Sequence, residues 1–328
     1  MTNQQPSQEE LQSLAADIVD ENRWPEPVTG IEFLPKGYST DKKFLLRVDG
    51  SPRYLLRMSD PQWEQRRRSE FDMLGPLERH GVVAPRPVSF GKTRDGSYCF
   101  MVVTYVDGVA GEEALPALGP QQQYEIGLAA GCELRKIHEL PTCGDEFDMA
   151  SFCRRRVADN VQAARELGLS FDGQERIEQY VDENVHEASG CATTIVHNDY
   201  HPGNLIVRDA QFAGVIDFNR SMRADPYWDF YKIPLLTCFV SEPFARGQIH
   251  GYFDGQPEDT FWPRYNLYVA ASLHISLVWP YQNDRAHLGL WQDRIQQILH
   301  THDFNSHGPP QWYLRGEPAV NAAGQATL

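Results

Sequence analysis

Two short apolar runs between residues 195 and 218 each lead into a loop carrying acids, and this arrangement constrains the chain more than any other stretch. Ile195-Val196 enters His197-Asn198-Asp199-Tyr200-His201-Pro202-Gly203-Asn204, Leu205-Ile206-Val207 leaves it, and Ala213-Gly214-Val215-Ile216 runs up to Asp217-Phe218. Loops at strand ends let rigid neighbours fix polar groups that a free loop would leave mobile. A lone Asp or Asn in a turn is ordinarily an Asx-turn former. The ordered set H-x-D-x-x-x-x-N followed by a strand-end Asp asks for a further explanation. Phosphoryl transfer needs a carboxylate that orients an attacking hydroxyl and accepts its proton, and oxygen ligands for magnesium on the nucleotide phosphates. Asp199 is the candidate for the first role, and the amide oxygen of Asn204 with the carboxylate of Asp217 for the second. His197 would brace the loop by hydrogen bonding to backbone or to Asp217. A competing chemistry borrows the same residues: a hydrolase in which His197, Asp199, His201 and Asp217 hold zinc or manganese. The oxygen-rich pair Asn204 and Asp217 suits magnesium better.

The rest of the pattern divides into a β-rich first part and a helical second part. Ser7 to Asn22 reads as an amphipathic helix, with Leu11, Leu14, Ala15 and Ile18 at helical spacing and Ser7 with Glu10 as a capping box. Strand-like runs follow at Ile31 to Leu34, Lys43 to Val48 and Tyr54 to Met58, and Asp49-Gly50 between the last two is a hairpin signal. A charged helical segment from Pro61 to His80 stops at Gly81, and two further runs, Arg86 to Gly91 and Tyr98 to Tyr105, complete the order β-β-β-α-β-β. Beyond Asp107-Gly108 the pattern turns helical, notably over Gln121 to Glu139 and Phe152 to Asn184, and again after Asp229.

At 328 residues the chain is longer than a single hydrophobic core normally serves, so two lobes are expected. With 41% hydrophobic and 23% charged residues its composition is that of a soluble globular protein. A formal net charge of −15 argues against nucleic-acid or anionic-membrane partners and fits a cationic substrate better. The six cysteines form no C-x-x-C pair and read as buried free thiols. The Gln- and Glu-rich start lacks a secretory pattern, and no run approaches the ~18 apolar residues of a spanning helix, so a reduced, cytoplasmic location is expected.

The segments His197 to Asn204 and Ile216-Asp217-Phe218 resemble the catalytic and metal-binding motifs of the aminoglycoside-phosphotransferase family. The likeness continues into Asp225-Pro226-Tyr227-Trp228-Asp229-Phe230, similar to the family's D-P-x-x-D-L element. The resemblance implies an α+β, bilobal protein-kinase-like fold, with a small β-rich N-lobe around one main helix and a larger, mostly helical C-lobe. Residues 1–103 would form the nucleotide-binding lobe with its N-terminal helix, 104–108 the hinge, 109–315 the catalytic and acceptor-binding lobe, and 316–328 a disordered tail. It further implies an O-phosphotransferase that uses ATP or GTP with Mg2+ to phosphorylate a hydroxyl of a small, cationic molecule, an aminoglycoside or related antibiotic. Kinases of macrolides, choline, methylthioribose and homoserine share the pattern, and an idle nucleotide-binding module is the reading outside catalysis. Asn198 stands where the family commonly has Gly. Phe218-Asn219 replaces the D-F-G of protein kinases, and no G-x-G-x-x-G occurs in the first lobe, both of which favour a small-molecule kinase.

Within the first lobe the resemblance places Gly37, Ser39 and Thr40 in a hairpin over the phosphates, and Arg57 at the position of a phosphate-pairing lysine. Glu70 is the matching ion-pair partner on the next helix, ahead of Glu64. Backbone groups of Thr104, Tyr105 and Val106 would bind the purine. His138, in Glu133-Leu134-Arg135-Lys136-Ile137-His138, reads as structural. Acceptor binding falls to acids such as Glu242, Asp254, Glu258, Asp259 and Asp284, with Trp262, Tyr265, Tyr268, Trp279, Tyr281 and Trp291 as core or pocket aromatics.

Overall fold

Alternation of inward and outward side chains through the first hundred residues builds a five-stranded antiparallel sheet. The computed structural model describes residues 6–35, 40–141 and 147–315. Its strands are β1 (Gly30–Leu34), β2 (Lys42–Val48), β3 (Ser51–Ser59), β4 (Pro87–Lys92) and β5 (Cys99–Thr104), in the spatial order β1-β2-β3-β5-β4. Asp49 and Gly50 close the β2–β3 hairpin with φ of 48° and 78°. Positive φ at both central residues is what a type I′ turn needs, and its twist matches that of the flanking strands.

Helix α1 (Gln8–Glu21) carries the reciprocal Ser7–Glu10 capping box. Its Leu11, Ala15 and Ile18 pack against Phe44, Leu46, Leu56, Met58 and Val102 on one face of the sheet. Neighbouring strand residues point to opposite faces, so Arg57 and Met101 face the other way. Helix α2 (Glu64–Arg79) covers that second face and meets Arg57 through Glu70. This compact unit comprises Met1–Gly108 with Ala213–Asn219.

The second unit comprises Val109–Phe212 and Arg220–Leu328. It begins with β6 (Val109–Ala110), α3 (Gly111–Ala114) and α4 (Pro120–His138). The helical pattern over Phe152 to Asn184 is divided into α5 (Met149–Glu166) and α6 (Gln174–Asn184). Gly168 and Gly173 take φ of 67° and 88° between them, and the Leu169 N–H reaches back to the Ala164 carbonyl as a Schellman closure. Strands β7 (Thr194–Val196), β8 (Leu205–Arg208), β9 (Gln211–Val215) and β10 (Met222–Ala224) bracket the motif loops, β7 pairing with β10 and β6 with β8. A 3-10 turn (Pro226–Tyr231) and a π-turn (Ile233–Thr237) precede α7 (Cys238–Val240), α8 (Glu242–Phe253), α9 (Phe261–Ser272), α10 (Ile275–Asn283), α11 (Leu288–Thr301) and α12 (Gln311–Leu314). No described helix is long and apolar enough to cross a membrane.

Helices α4 and α8 approach so closely that only glycine fits between them. A Cβ on Gly131 would lie 2.1 Å from the Gln248 carbonyl oxygen, and one on Gly251 2.0 Å from that of Leu128. Gly127 and Gly247 meet backbone of the opposite helix in the same way. Gly131→Ala must therefore push two backbones apart, an overpacking cost expected at about 3 kcal/mol. Gly289→Ala in α11, where a Cβ meets nothing within 4 Å, should instead be neutral or stabilise by up to about 1 kcal/mol. Urea unfolding of both variants checks the pair.

Candidate active site

The motif loop in the second unit is fixed by one buried carboxylate. Asp229 Oδ2 accepts the His197 N–H at 2.8 Å, and Oδ1 the Asn198 N–H at 2.5 Å. His138 Nε2 lies 3.0 Å from Oδ2, and His138 Nδ1 lies 3.0 Å from the Tyr252 hydroxyl. The family-like D-P-x-x-D element thus ties the loop to the C-terminus of α4, and His138 takes a structural place. Asp225 of the same element accepts from Arg264 and Tyr268. Asn198 has φ of 62°, a left-handed conformation that glycine adopts freely and asparagine tolerates. Its side chain adds two braces, donating to the Arg220 carbonyl at 3.0 Å and accepting from Trp228 Nε1 at 2.9 Å. That geometry accounts for asparagine where the family commonly has Gly.

Within the loop, the Asp199 N–H donates to His197 Nδ1 at 3.2 Å, and the Gly203 N–H donates to His201 Nδ1 at 3.2 Å. Both histidines use a ring lone pair on loop geometry, and that lone pair is the one a zinc ion would need. Asn204 Nδ2 donates to the Asp199 carbonyl at 2.9 Å and reaches Oδ2 at 3.3 Å. Its amide oxygen is thereby the face left for a hard cation. Among the described residues no three His, Cys, Asp or Glu side chains cluster as a metal site. The Asn204 amide oxygen is a donor of the hard kind that magnesium takes.

Asp199 gathers two cations and a neutral imidazole. Lys232 Nζ lies 2.8 Å from Oδ1, His201 Nε2 3.7 Å from Oδ1 and Arg220 Nε 3.7 Å from Oδ2. Burial alone would raise the Asp199 carboxyl, but these partners, Lys232 foremost, hold it well below the usual carboxylate range. Burial opposes the Lys232 ammonium as well, yet Tyr231 and Asp199 keep its pKa raised. Burial also pushes His201 down to about 4, so its ring is neutral at pH 7.

In the first unit Arg57 belongs to a buried ring of alternating charges. Its Nη1 lies 2.6 Å from Glu70 Oε1 and its Nη2 3.0 Å from Asp41 Oδ2. Arg67 closes the ring, 2.7 Å from Asp41 and 3.1 Å from Glu70. Ser59 donates to Asp41 and accepts from Arg67 Nε. Asp217 stands at the edge of this ring, 3.9 Å from Arg57 Nη1, with φ of 66° and its carboxylate accepting from Asn219 Nδ2. Lys43 lies directly across the strand pair from Arg57. Burial and then Arg57 lower its pKa, while Asp217 and Asp41 pull it back up.

The other residues singled out from the sequence are less concentrated. Glu64 pairs with Lys92 instead. Thr104 donates its N–H to the Arg86 carbonyl and accepts the Arg86 N–H on its hydroxyl, and the Tyr105 N–H goes to the Arg53 carbonyl. Those backbone donors are used inside the sheet rather than offered to a purine. Thr40 is exposed, and Gly37 and Ser39 lie outside the described residues. Asp41, Arg67, Arg220 and Lys232 were not foreseen. Lys232 alone carried a signal, three residues past Asp229 in Asp229-Phe230-Tyr231-Lys232, one 3-10 turn on.

Two outcomes follow from these charges. Glu70→Gln leaves Arg57 and Arg67 partly uncompensated in a buried site and should cost about 3–5 kcal/mol in chemical denaturation. In Lys232→Met the Asp199 carboxyl rises towards its ordinary value. A depressed carboxylate pKa supports activity above it and loses that support as pH falls through it, so the acid limb of kcat/KM should move to higher pH. Lys232→Arg should keep the wild-type limb, and an unmoved limb in Lys232→Met would remove Lys232 from this role.

The sequence profile described as "Phosphotransferase enzyme family" matches residues 30–266. No curated protein sequence matches the chain. Among solved structures, the gentamicin complex of APH(2″)-IIa superposes with a TM-score of 0.64 at 18% identity, over 95% of this chain and 99% of that one. The GDP and kanamycin complex of APH(2″)-IIIa gives 0.67 at 16%, over 90% and 100%. A thermostable mutant of the aminoglycoside phosphotransferase APH(4)-Ia, in a ternary complex with AMP-PNP and hygromycin B, gives 0.60 at 17%, over 86% and 96%. At such identities the likeness is one of fold, the kinase-like α+β architecture of these enzymes. The profile match, by contrast, spans well over half the sequence, and the chain belongs to the phosphotransferase enzyme family.

Proposed function

We propose that this protein transfers the terminal phosphoryl group of ATP or GTP to a hydroxyl of a small molecule, with Asp199 as the catalytic carboxylate. The observation that carries this reading is the state of Asp199: fixed by the Asp229-anchored loop and kept ionised by Lys232. Asp199 accepts a hydrogen bond from the acceptor hydroxyl and aims its oxygen at the phosphorus. The new O–P bond forms as the bond to the β–γ bridging oxygen breaks, the nucleoside diphosphate leaves, and the hydroxyl proton passes to Asp199. A carboxylate held so far below neutrality is a weak base. That suffices for a loose transition state, which demands positioning more than early proton removal.

Asn204 and Asp217 each offer an oxygen that would ligate magnesium, and the bound ion would neutralise charge on the phosphates. Arg57, held by Glu70, and its cross-strand neighbour Lys43 supply positive charge beside Asp217. Gly37, Ser39 and Thr40 are the candidates for phosphate contacts and Val106 for the purine, since Thr104 and Tyr105 use their N–H groups within the sheet. His197 positions the loop through the Asp199 N–H. Because the similar structures hold gentamicin, kanamycin or hygromycin B, an aminoglycoside or related antibiotic, with a resistance role in the cytoplasm, is the first acceptor class to test.

Magnesium-dependent ADP release, measured by a coupled assay against a panel of hydroxylated acceptors, tests the reading. Asp199→Ala should lower kcat by about 10²–10⁴ with the fold intact. Asp217→Ala and Asn204→Ala should each raise the magnesium concentration needed. Nucleotide binding with no Asp199-dependent ADP release on any acceptor would replace the kinase with an idle nucleotide-binding module.

A further inference from the structure

Building on the phosphotransferase reading, we infer that the acceptor is an anion, a hydroxylated small molecule bearing a carboxylate or phosphate group, rather than a polycation. The basis is a row of guanidinium and aromatic groups that starts at Asp199. Arg220, 3.7 Å from Asp199 and with 41% of its side chain exposed, lies over the Trp279 ring at 6.0 Å. Trp279 meets Trp291 edge-on at 6.2 Å. Arg294 then sits 5.1 Å from the Trp291 ring and 4.8 Å from that of Phe239.

These rings are half-buried and already face the chain's own arginines. A pocket for ammonium groups offers bare aromatic faces and carboxylates; here an incoming ammonium would meet like charge. An acid would meet two planar forks suited to carboxylate or phosphate oxygens. Arg294 is poorly satisfied as it stands. Its Nη1 makes only a 3.4 Å contact with the Leu235 carbonyl, and its Nε is buried with no acceptor. Burial lowers its pKa, with Glu112 as the opposing carboxylate.

The acids that would hold a cationic acceptor are engaged or placed otherwise. Glu242 lies 3.7 Å from Arg315 and Asp284 2.7 Å from His287. Asp254 caps the end of α8 in a left-handed conformation, and Glu258 and Asp259 are exposed in the turn before α9. The formal charge of −15 belongs to the whole chain. Beyond a Debye length of about 8 Å it has little say over what Asp199 faces.

Calorimetric titration of the full chain with D-gluconate, glycerol 3-phosphate and kanamycin, paired with ADP release on each, tests the inference and separates carboxylate from phosphate. At least one anion should bind and be phosphorylated. Arg294→Gln should weaken that binding roughly tenfold or more, and Arg294→Lys, which keeps the charge and loses the fork, should fall between. If Arg294→Gln does not fold, Arg294→Lys against wild type carries the comparison. Kanamycin bound and phosphorylated in preference to both anions would overturn the inference while leaving the phosphotransferase reading intact. Absence of binding by either anion, or anion binding indifferent to Arg294, would overturn it too. Loss of Asp199-dependent ADP release with every acceptor would instead strike at the phosphotransferase reading itself.

Discussion

The carboxylate of Asp229 is the fixed point of the second unit. It is fully buried and accepts two successive backbone N–H groups from the motif loop while holding His138 at the end of α4. Hydrogen bonds to an ionised group contribute about 1.5–3 kcal/mol each, and a buried carboxylate without them would be strongly unfavourable. The left-handed turn at Asn198 is held in place by these bonds, and the position of Asp199 follows from that turn. Tyr200 adds a second tether by donating to the Ala130 carbonyl on α4. Asp199 is therefore located first by backbone, and its carboxylate then meets Lys232.

The two units use charge differently. In the first, Arg57, Glu70, Arg67 and Asp41 satisfy one another in a closed ring that gives geometry rather than reactivity, since every charge already has an opposite. Buried pairs of this kind add little net stability but penalise any broken member. In the second, Lys232 and Arg220 flank a single carboxylate, an imbalance that shifts a pKa instead of cancelling. A shifted group in a polar cluster is the usual mark of a working site.

Much of this was legible in the sequence because it is local. The capping box at Ser7, the Asp49-Gly50 turn and the strand–helix order of the first hundred residues are set by near neighbours, and structure and pattern agree. The spacing of His197, Asp199 and Asn204 is likewise a property of eight consecutive residues. What escaped was non-local. Asp41 reaches Arg67 across 26 positions, and Lys232 reaches Asp199 across a turn whose 3-10 and π geometry no periodicity announces. The long helical pattern from Phe152 was divided because two glycines prefer a turn to a continued helix. The acceptor side is non-local too: summed charge says nothing about which charges fold towards one atom.

The glycine contact between α4 and α8 bears on motion. His138 and Tyr252, which hold Asp229 in line, sit on α4 and α8 respectively, on either side of a seam with no room for a side chain. Helices joined that tightly separate only when both lose their packing together, so they form a single cooperative opening unit. The loop carrying Asp199 hangs from that unit. Its fluctuations are then tied to the opening of that helix pair, so the loop moves with the packing of α4 against α8.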